Sequence, residues 1–581
     1  FNLDRTPDMP ASSLTLRHML LTGLCASALV MGACSGGDKL PAEEITVDAA
    51  SLGLTSADES QLSEHFVIKA RSGTEAETMS LLTASGFDGA TYGARTIDGA
   101  NVVYTDWTAS NDDASMRAER VEMIGLNQTE GGPTLDKLVV SGMRVDGFEG
   151  EAEDRVKVMD ATVGSLVVVK PSAAMFANLA DIMMAEDASS NAATDTLEEL
   201  SAEMDFRAFQ VEDMAANVME DGKVGTLSLK QIIVGNDQDE DLMDIVLETL
   251  DFDWVGANGN DAENFAINMD GLTVMGLDTE QLNNAPNPSG GIASSLMAGL
   301  SPASSPPYRQ IDFGKFNLTS AIVDVTSEGF EADSTSKGST VELRSVFAPT
   351  LITLKDMSAT RAAPFMDVLR DNGLAEISFK GSSLTSFDSK ADRVSVTDAR
   401  MEVDGGLRTR CDYSLMGLKA AEDALKASGL SQPVLDIADV DDREGAFEKY
   451  LTDMQAYNAA QAEANKAITL EAMNCDIQDV ADNSLVERGY QVASAITGRS
   501  VPVLKGGAKT MIALGSLTAQ SEFQRDLMDT VGSGLIDFID TPGQTMTITM
   551  APTDPVSILS MVGTDGAEPS IKPLNLSVEV R

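Results

Sequence analysis

The sequence predicts an α+β fold that is mostly antiparallel β-sheet, in two related halves with a C-terminal helical insertion. Short segments in which polar and apolar residues alternate recur along the chain, as expected for strands with one buried and one solvated face. Two of these segments are similar to each other in sequence. From about residue 418 to residue 540 the apolar residues adopt a helical period instead.

The first half is assigned to residues 62–282 and is predicted to contain strands at 101–107, 135–145 and 164–169. A helix rich in Ala, Leu and Met is predicted from about Ser172 to Met204. A hairpin should follow between Phe206 and Val234, with Asp221-Gly222 as its turn. Asp239, Glu240 and Asp241 should begin a helix that ends at Leu250, because acidic residues stabilise a helix N-terminus.

A linker rich in Pro and Gly is predicted at residues 283–307, and the second half at residues 308–581. The second half should contain strands at 315–325, 340–346 and 351–354. Its helical region, about 418–540, should comprise helices at 418–428, 443–467, 484–496 and 522–539. Two strands, 545–550 and 574–580, should complete the fold.

The repeat is the reason for predicting related halves. Glu153–Val163 matches Ala391–Met401, and Ala118–Met123 is a shorter third copy. Because successive side chains of a strand point to opposite faces, Val156 and Val158 should be buried with Arg155 and Lys157 opposite. Val394 and Val396 should be buried likewise, with Arg393 and Ser395 opposite. Chance similarity between amphipathic strands is the alternative explanation.

The N-terminal segment has the features of an export signal. Arg17 and His18 precede an apolar run from Met19 to Met31, which is too short for a membrane span of about 20 residues. The small residues Gly32 and Ala33 follow, and then Cys34. Met9 is the expected start of translation, and residues 1–33 are assigned to upstream residues and signal peptide. Residues 34–61 are assigned to a tether.

The segment Met31-Gly32-Ala33-Cys34 resembles the lipobox of bacterial lipoprotein precursors. That resemblance implies cleavage before Cys34 and acylation of Cys34, including palmitate-type chains. It also implies an outer-membrane, lipid-anchored protein in the cell envelope that faces the periplasm or the cell surface. The family usually has Leu where this chain has Met31. An ordinary secretory peptide with a chance cysteine is the alternative.

Composition restricts the class of partner. The chain has 581 residues and a formal net charge of −50, with its acidic residues spread along the sequence. Such a polyanion repels nucleic-acid phosphates and anionic lipid head groups, so no nucleic-acid partner is expected. Its 43% hydrophobic residues suffice for at least one full core. The partners expected are the membrane, through the lipid anchor, and a lipid or another protein.

Cys411 and Cys475 are the two cysteines that remain after Cys25 is removed with the signal and Cys34 is acylated. An even number of cysteines in an exported protein predicts a disulfide between them. Two buried free thiols are the alternative.

Catalytic and cofactor motifs are scarce in this sequence. His65 is the one histidine of the expected mature chain, placed at the start of a strand-like segment, so histidine-based metal clusters and triads are not expected. Gly506-Gly507-Ala508-Lys509-Thr510 lacks the spacing of a phosphate loop. Asp237, Asp239, Asp241 and Glu248 have the spacing of a calcium loop, but Leu242 occupies its glycine position. No cofactor, metal or catalytic residue is therefore predicted.

The repeated amphipathic strands are similar to those of the AsmA-like, bridge-type lipid-handling proteins of the bacterial envelope. That resemblance implies a non-enzymatic protein that binds a partner or a hydrophobic ligand in a groove lined by the sheet. An exported hydrolase that uses carboxylates and a structural or adhesive surface protein are the alternatives. A groove lined by apolar side chains would favour the first function, and two carboxylates about 5–10 Å apart in a cleft the second.

Overall fold

The computed structural model describes residues 62–69, 71–85, 90–110, 114–149, 156–177, 206–220, 223–237, 242–256, 264–278, 308–355, 363–430, 443–518, 522–557 and 570–581. Cys34, the predicted signal and tether, most of the predicted helix 172–204 and the predicted linker 283–307 lie outside these residues.

Strands form most of the described chain. They are β1 Ala94–Asp98, β2 Asn101–Ser110, β3 Ala114–Ile124, β4 Asn127–Thr129, β5 Gly132–Thr134, β6 Lys137–Glu149, β7 Val156–Val169, β8 Ala208–Glu220, β9 Lys223–Asp237, β10 Leu242–Leu247, β11 Leu250–Val255, β12 Phe265–Asp278, β13 Gln310–Ser320, β14 Val323–Ser327, β15 Phe330–Lys337, β16 Thr340–Leu354, β17 Glu376–Asp388, β18 Arg393–Val403, β19 Leu407–Met416, β20 Thr469–Asp479, β21 Thr545–Met550, β22 Val556–Ser557 and β23 Leu576–Val580.

Most helices follow β19. The α-helices, in chain order, are α1 Leu62–His65, α2 Glu75–Ala84, α3 Ala363–Asp371, α4 Leu418–Ala427, α5 Arg443–Ala464, α6 Leu485–Thr497, α7 Val501–Thr518 and α8 Glu522–Asp540. The helices predicted in the C-terminal region are therefore confirmed as α4, α5, α6 and α8. None of the helices in these ranges is long and apolar enough to cross a membrane.

A single 21-stranded sheet contains every strand except the small hairpin of β4 and β5. All its pairings are antiparallel, and the strand positions follow each other across the sheet in chain order, from β1 at one edge to β23 at the other. Three strand positions are broken in two: β10 with β11, β14 with β15, and β21 with β22. The mostly antiparallel fold predicted from the sequence is confirmed.

The sheet continues across the position predicted to separate two halves. β12 and β13 lie on either side of residues 279–307 and pair over most of their length, from Phe265 with Ser320 to Met275 with Gln310. The hydrogen-bonded ladder therefore joins the two parts of the chain on either side of the predicted linker.

The burial predicted for the valines of the two repeat copies is confirmed in one copy and wrong at Val156 in the other. Val394 and Val396 are buried in β18, whereas Val156 in β7 is 62% exposed. The register between β6 and β7 shifts at Gly147, next to the first residues of β7, so this end of the strand no longer follows the burial pattern of the rest.

Several predicted boundaries are corrected. The helix expected from Asp239 to Leu250 is wrong: residues 242–247 form β10, which pairs with β9 and β12. The strand expected at 315–325 is two strands, β13 and β14, and those expected at 340–346 and 351–354 are one, β16. The hairpin predicted between Phe206 and Val234 is confirmed as β8 and β9.

Candidate functional site

One face of the sheet is apolar because of the registers between its strands. In β12 and β13, Ile267 lies opposite Leu318 and Met269 opposite Phe316, so these four side chains share a face. Asn268 lies opposite Asn317, and this pair is on the other face. This part of β12 and β13 therefore presents apolar residues to one side and polar residues to the other.

The same parity can be followed from strand to strand across the whole sheet. We call this side the apolar face, and the other side the polar face. The apolar face includes Val102, Tyr104 and Trp107 of β2; Val121 and Met123 of β3; Leu138, Val140 and Met143 of β6; Val163, Leu166 and Val168 of β7; Phe209, Val211 and Met214 of β8; Leu229, Ile232 and Val234 of β9; Leu250, Phe252 and Trp254 of β11; Phe313 and Phe316 of β13; Phe347 and Ile352 of β16; Phe379 and Phe387 of β17; and Cys411, Tyr413, Cys475 and Met473 of β19 and β20.

A line of irregularities crosses the strands near their middles. Asp106, Gly142 and Asp213 have positive φ angles of 49°, 61° and 50°. Farther along the sheet, the breaks between β10 and β11 and between β14 and β15 continue the line, and a register shift follows between Phe347 and Thr350. Bulges and breaks of this kind bend a strand and increase its twist. The sheet is therefore bent along this line rather than flat.

Helices cover the apolar face at both ends of the sheet. At the β1 end, Leu82 of α2 is fully buried in the cluster that contains Val102, Trp107 and Val121. At the β23 end, α8 packs against the sheet so closely that a Cβ on Gly534 would lie 2.4 Å from Val578 Cγ1. Leu527 of α8 also packs against the cluster of Leu470, Ile571 and Leu574.

Between these covered ends, the aromatic side chains of the apolar face are half-buried, whereas Val274, Ile311 and Leu343 belong to a buried cluster. Aromatic residues form much of this middle part: Phe252, Trp254, Phe265, Phe313, Phe316, Phe330, Phe347 and Phe379. Phe330 and Phe347 contact each other across β15 and β16 with ring centroids 4.6 Å apart, and Phe252 contacts Phe265 across β11 and β12. Aromatic pairs of this type add to the stabilisation from area burial alone.

Trp254 shows how this part of the face is shaped. Gly225 lies directly opposite Trp254 in the ladder, and a Cβ on Gly225 would lie only 2.9 Å from Trp254 Cζ3. The indole therefore covers the position opposite it in the ladder, where Gly225 has no side chain. The ring also stacks on Phe252, at an interplanar angle of 23°.

Charged side chains are concentrated on the polar face, where they form cross-strand ion pairs. Lys380, Glu402 and Arg408 are successive neighbours across β17, β18 and β19, with Arg408 Nε 2.8 Å from Glu402 Oε2. Near the other end of the sheet, the hydrogen bond from the Lys157 ammonium holds the pKa of Asp146 below its ordinary value. These carboxylates are paired with Lys and Arg side chains, and they do not line the apolar face.

The structure places the sequence-predicted cysteines together. Cys411 and Cys475 lie directly opposite each other in β19 and β20, and both are buried on the apolar face. No disulfide joins them in this structure, so the predicted bond is not present, although the predicted proximity is confirmed. Opposed Cβ atoms in an antiparallel pair are about 4.5–5.5 Å apart, close to the distance that a disulfide spans.

The other residues singled out from the sequence do not form a site in the described part of the chain. His65 ends α1 instead of beginning a strand, and it packs against Gly235 on the polar face. Asp237 ends β9 and Glu248 lies at the break between β10 and β11, while Asp239 and Asp241 lie outside the described residues. Among the residues that the structure describes, no group of acids, histidines and cysteines could hold a metal ion.

The sequence did not single out the aromatic middle of the apolar face. The signal was present as alternation in segments such as residues 265–269, but alternation alone does not give the register between strands. Which apolar residues lie side by side depends on the bulges and strand breaks.

A protein-family model described only as "Uncharacterized protein" matches residues 437–581, the part of the chain that contains α5, α6, α7, α8 and the last four strands. No curated protein matches the chain.

Proposed function

We propose that this protein binds hydrophobic molecules with long acyl chains along the half-buried middle of the apolar face, and that it acts by binding rather than by catalysis. The observation that carries the proposal is that large apolar side chains recur on one face from β2 to β23, with helices over both ends and half-buried aromatic residues between them. Burial of apolar area at about 25 cal/mol per Å² makes such a surface favourable for an acyl chain.

The bend across the strands supports this proposal. An acyl chain needs contacts on more than one side to leave water, and a bent sheet can surround it better than a flat one. Large exposed apolar surfaces on a protein generally mark a binding surface. We propose that the apolar face is the concave side of the bend.

The alternative functions have less support from the described residues. A carboxylate-dependent hydrolase requires two acids facing a cleft, and the carboxylates described above are paired with cations on the polar face. A purely structural or adhesive protein gives no reason for half-buried aromatic residues across the middle of one face.

The proposed location follows from the resemblance of residues 31–34 to a lipobox. We propose that Cys34 is acylated and anchors the protein in the outer membrane. Metabolic labelling with an alkyne fatty acid should mark the wild type but not Cys34→Ala. In such a location, a lipid is the hydrophobic ligand within reach.

Two neighbouring residues of β13 provide a matched test. Phe316→Asp adds a carboxylate to the apolar face, and Asn317→Asp adds one to the polar face of the same strand. We expect Phe316→Asp to weaken binding of a fluorescent fatty acid about tenfold or more, because a charge must be desolvated beside the chain. Asn317→Asp should bind like the wild type.

Circular dichroism and thermal unfolding should be recorded for both variants, and Phe316→Ala provides a milder second change if Phe316→Asp does not fold. Equal loss of binding in Phe316→Asp and Asn317→Asp, or no binding by the wild type, would contradict the proposal.

A further inference from the structure

The outer surface of α7 has a composition unlike the rest of this acidic protein. No acidic residue occurs between Arg488 and Ser521, in a chain with a formal net charge of −50. The same segment carries Arg488, Arg499, Lys505 and Lys509. Repulsion from anionic lipid head groups, which dominates the surface elsewhere, is therefore weakest here.

Large apolar side chains are exposed on this surface. Val503, Met511 and Leu514 of α7 are 58%, 75% and 47% exposed, and Ile496 at the end of α6 is 54% exposed. The spacing of residues 503, 511 and 514 places the three α7 side chains on one side of the helix. We call these four residues the α7 patch.

The fold holds this patch outward. α7 packs on α8 so closely that a Cβ on Gly532 would lie 2.8 Å from Ile512 Cγ2, and α8 in turn packs on the last strands of the sheet. Lys505 pairs with Glu487 at 2.7 Å and Lys509 with Asp540 at 2.5 Å, so the first half of α7 is held to α6 and α8. Arg499 is exposed beside the patch.

We propose that the α7 patch docks on the surface of a lipid bilayer. An interfacial helix needs an apolar side that enters the head-group region without acidic side chains on that side. The α7 patch is apolar, Arg499 is exposed beside it, and Lys505 and Lys509 are paired with acids. The patch lies at the β23 end of the sheet, on the order of 80 Å along the sheet from β1 at 4.7–4.9 Å per strand. This contact is separate from acyl-chain binding on the apolar face.

Tryptophan quenching by brominated phospholipids tests the docking directly. Met511→Trp places a probe in the patch, and the Cys34→Ser change removes the contribution of an acyl anchor from every sample. Trp254→Phe removes the indole of the apolar face, which would otherwise report lipid bound there, and Trp107 stays as a common buried background. Vesicles of brominated phosphatidylcholine should quench the Met511→Trp variant.

Leu451→Trp is the matched control. Leu451 is 44% exposed on α5 and has Phe447 as an exposed neighbour, but acidic residues flank it at 448 and 453. It should show no quenching. In co-flotation with the same vesicles, Met511→Glu should reduce binding about tenfold, because a charge replaces an apolar side chain at the interface.

Three results would overturn the proposal: equal quenching at the two positions, no quenching at either, or unchanged co-flotation of Met511→Glu. Sedimentation velocity adds a fourth. A dimer that Met511→Glu dissociates, without vesicle binding by the wild type, would assign the patch to contact between copies of this chain. Failure of docking leaves the Phe316→Asp test of the apolar face unaffected, so the two proposals can be distinguished.

Discussion

At the scale of single residues, the opposed cysteines are the most informative pair. Cys411 and Cys475 lie in adjacent strands, buried among Ala399, Tyr413 and Ile477. If the chain is exported, the oxidising compartment should close a bond between them. Protein purified from the envelope, unfolded without reductant, should then titrate no thiol from this pair, and Cys411→Ser should titrate one.

Closure should also stabilise the sheet. The loop between the cysteines is long, and the loop-entropy model assigns it roughly 4 kcal/mol, although the mechanism of that stabilisation is disputed. Two titrated thiols in the unreduced wild type would instead support buried free thiols and contradict the bridge.

Asp333 gives a residue-scale prediction about pH. Its side chain is largely buried on the polar face, Oδ1 has no hydrogen-bond partner in the described part of the chain, and Arg344 Nη1 is 4.0 Å from Oδ2. Burial raises the pKa of Asp333, and the charge of Arg344 opposes this rise. The folded state therefore binds the proton more tightly than the unfolded state.

With the pKa raised in the folded state, ionisation of Asp333 costs stability as the pH rises from the unfolded pKa through the folded one. At pH 7 the variant Asp333→Asn should be as stable as the wild type or more stable, by up to about 1 kcal/mol. Its advantage should disappear at acid pH. Denaturant unfolding at pH 7 and pH 3 measures this, and a variant that is clearly less stable at pH 7 would show that the ion pair outweighs burial.

At the scale of elements, two helical glycines test how the C-terminal helices are held. A Cβ on Gly534 of α8 would meet Val578 of β23, whereas a Cβ on Gly489 of α6 would meet nothing within 4 Å. Gly534→Ala should lower stability and separate α8 from the sheet. Gly489→Ala should raise stability by about 0.5–1 kcal/mol, because alanine loses less backbone entropy in a helix.

Chemical denaturation of the two variants decides this prediction. If both substitutions stabilise the protein, α8 is not packed against β23 as described. If both destabilise it, the difference between the two environments has no energetic consequence.

Some elements could be predicted from the sequence and others could not. The two groups differ in how far they depend on tertiary contacts. α4, α5, α6 and α8 have local helical signals and were predicted. α7 was not, because Gly506 and Gly507 lower its helix propensity, and packing on α8 compensates for them. Residues 242–247 have acids before them that suggest a helix, but β9 and β12 provide strand partners on both sides.

At the scale of the whole molecule, the sequence indicated mostly antiparallel sheet, while the structure adds that one continuous sheet connects β1 with β23. The expected division at residues 283–307 does not interrupt the ladder between β12 and β13. An origin of the two parts by duplication stays a prediction, weakened by the exposure of Val156. The apolar face could not be predicted as a unit, because its continuity depends on all the registers together.

The central claim is that hydrophobic ligands contact one face of this sheet and not the other. Site-specific photo-crosslinking along β13 tests it most directly, with a photoreactive amino acid placed singly at Phe313, Phe316, Asp312 and Asn317, all half-buried. After irradiation in cells, mass spectrometry should find lipid adducts at positions 313 and 316 and none at 312 and 317. Adducts at equal yield on both faces, or at none of the four positions, would contradict the account.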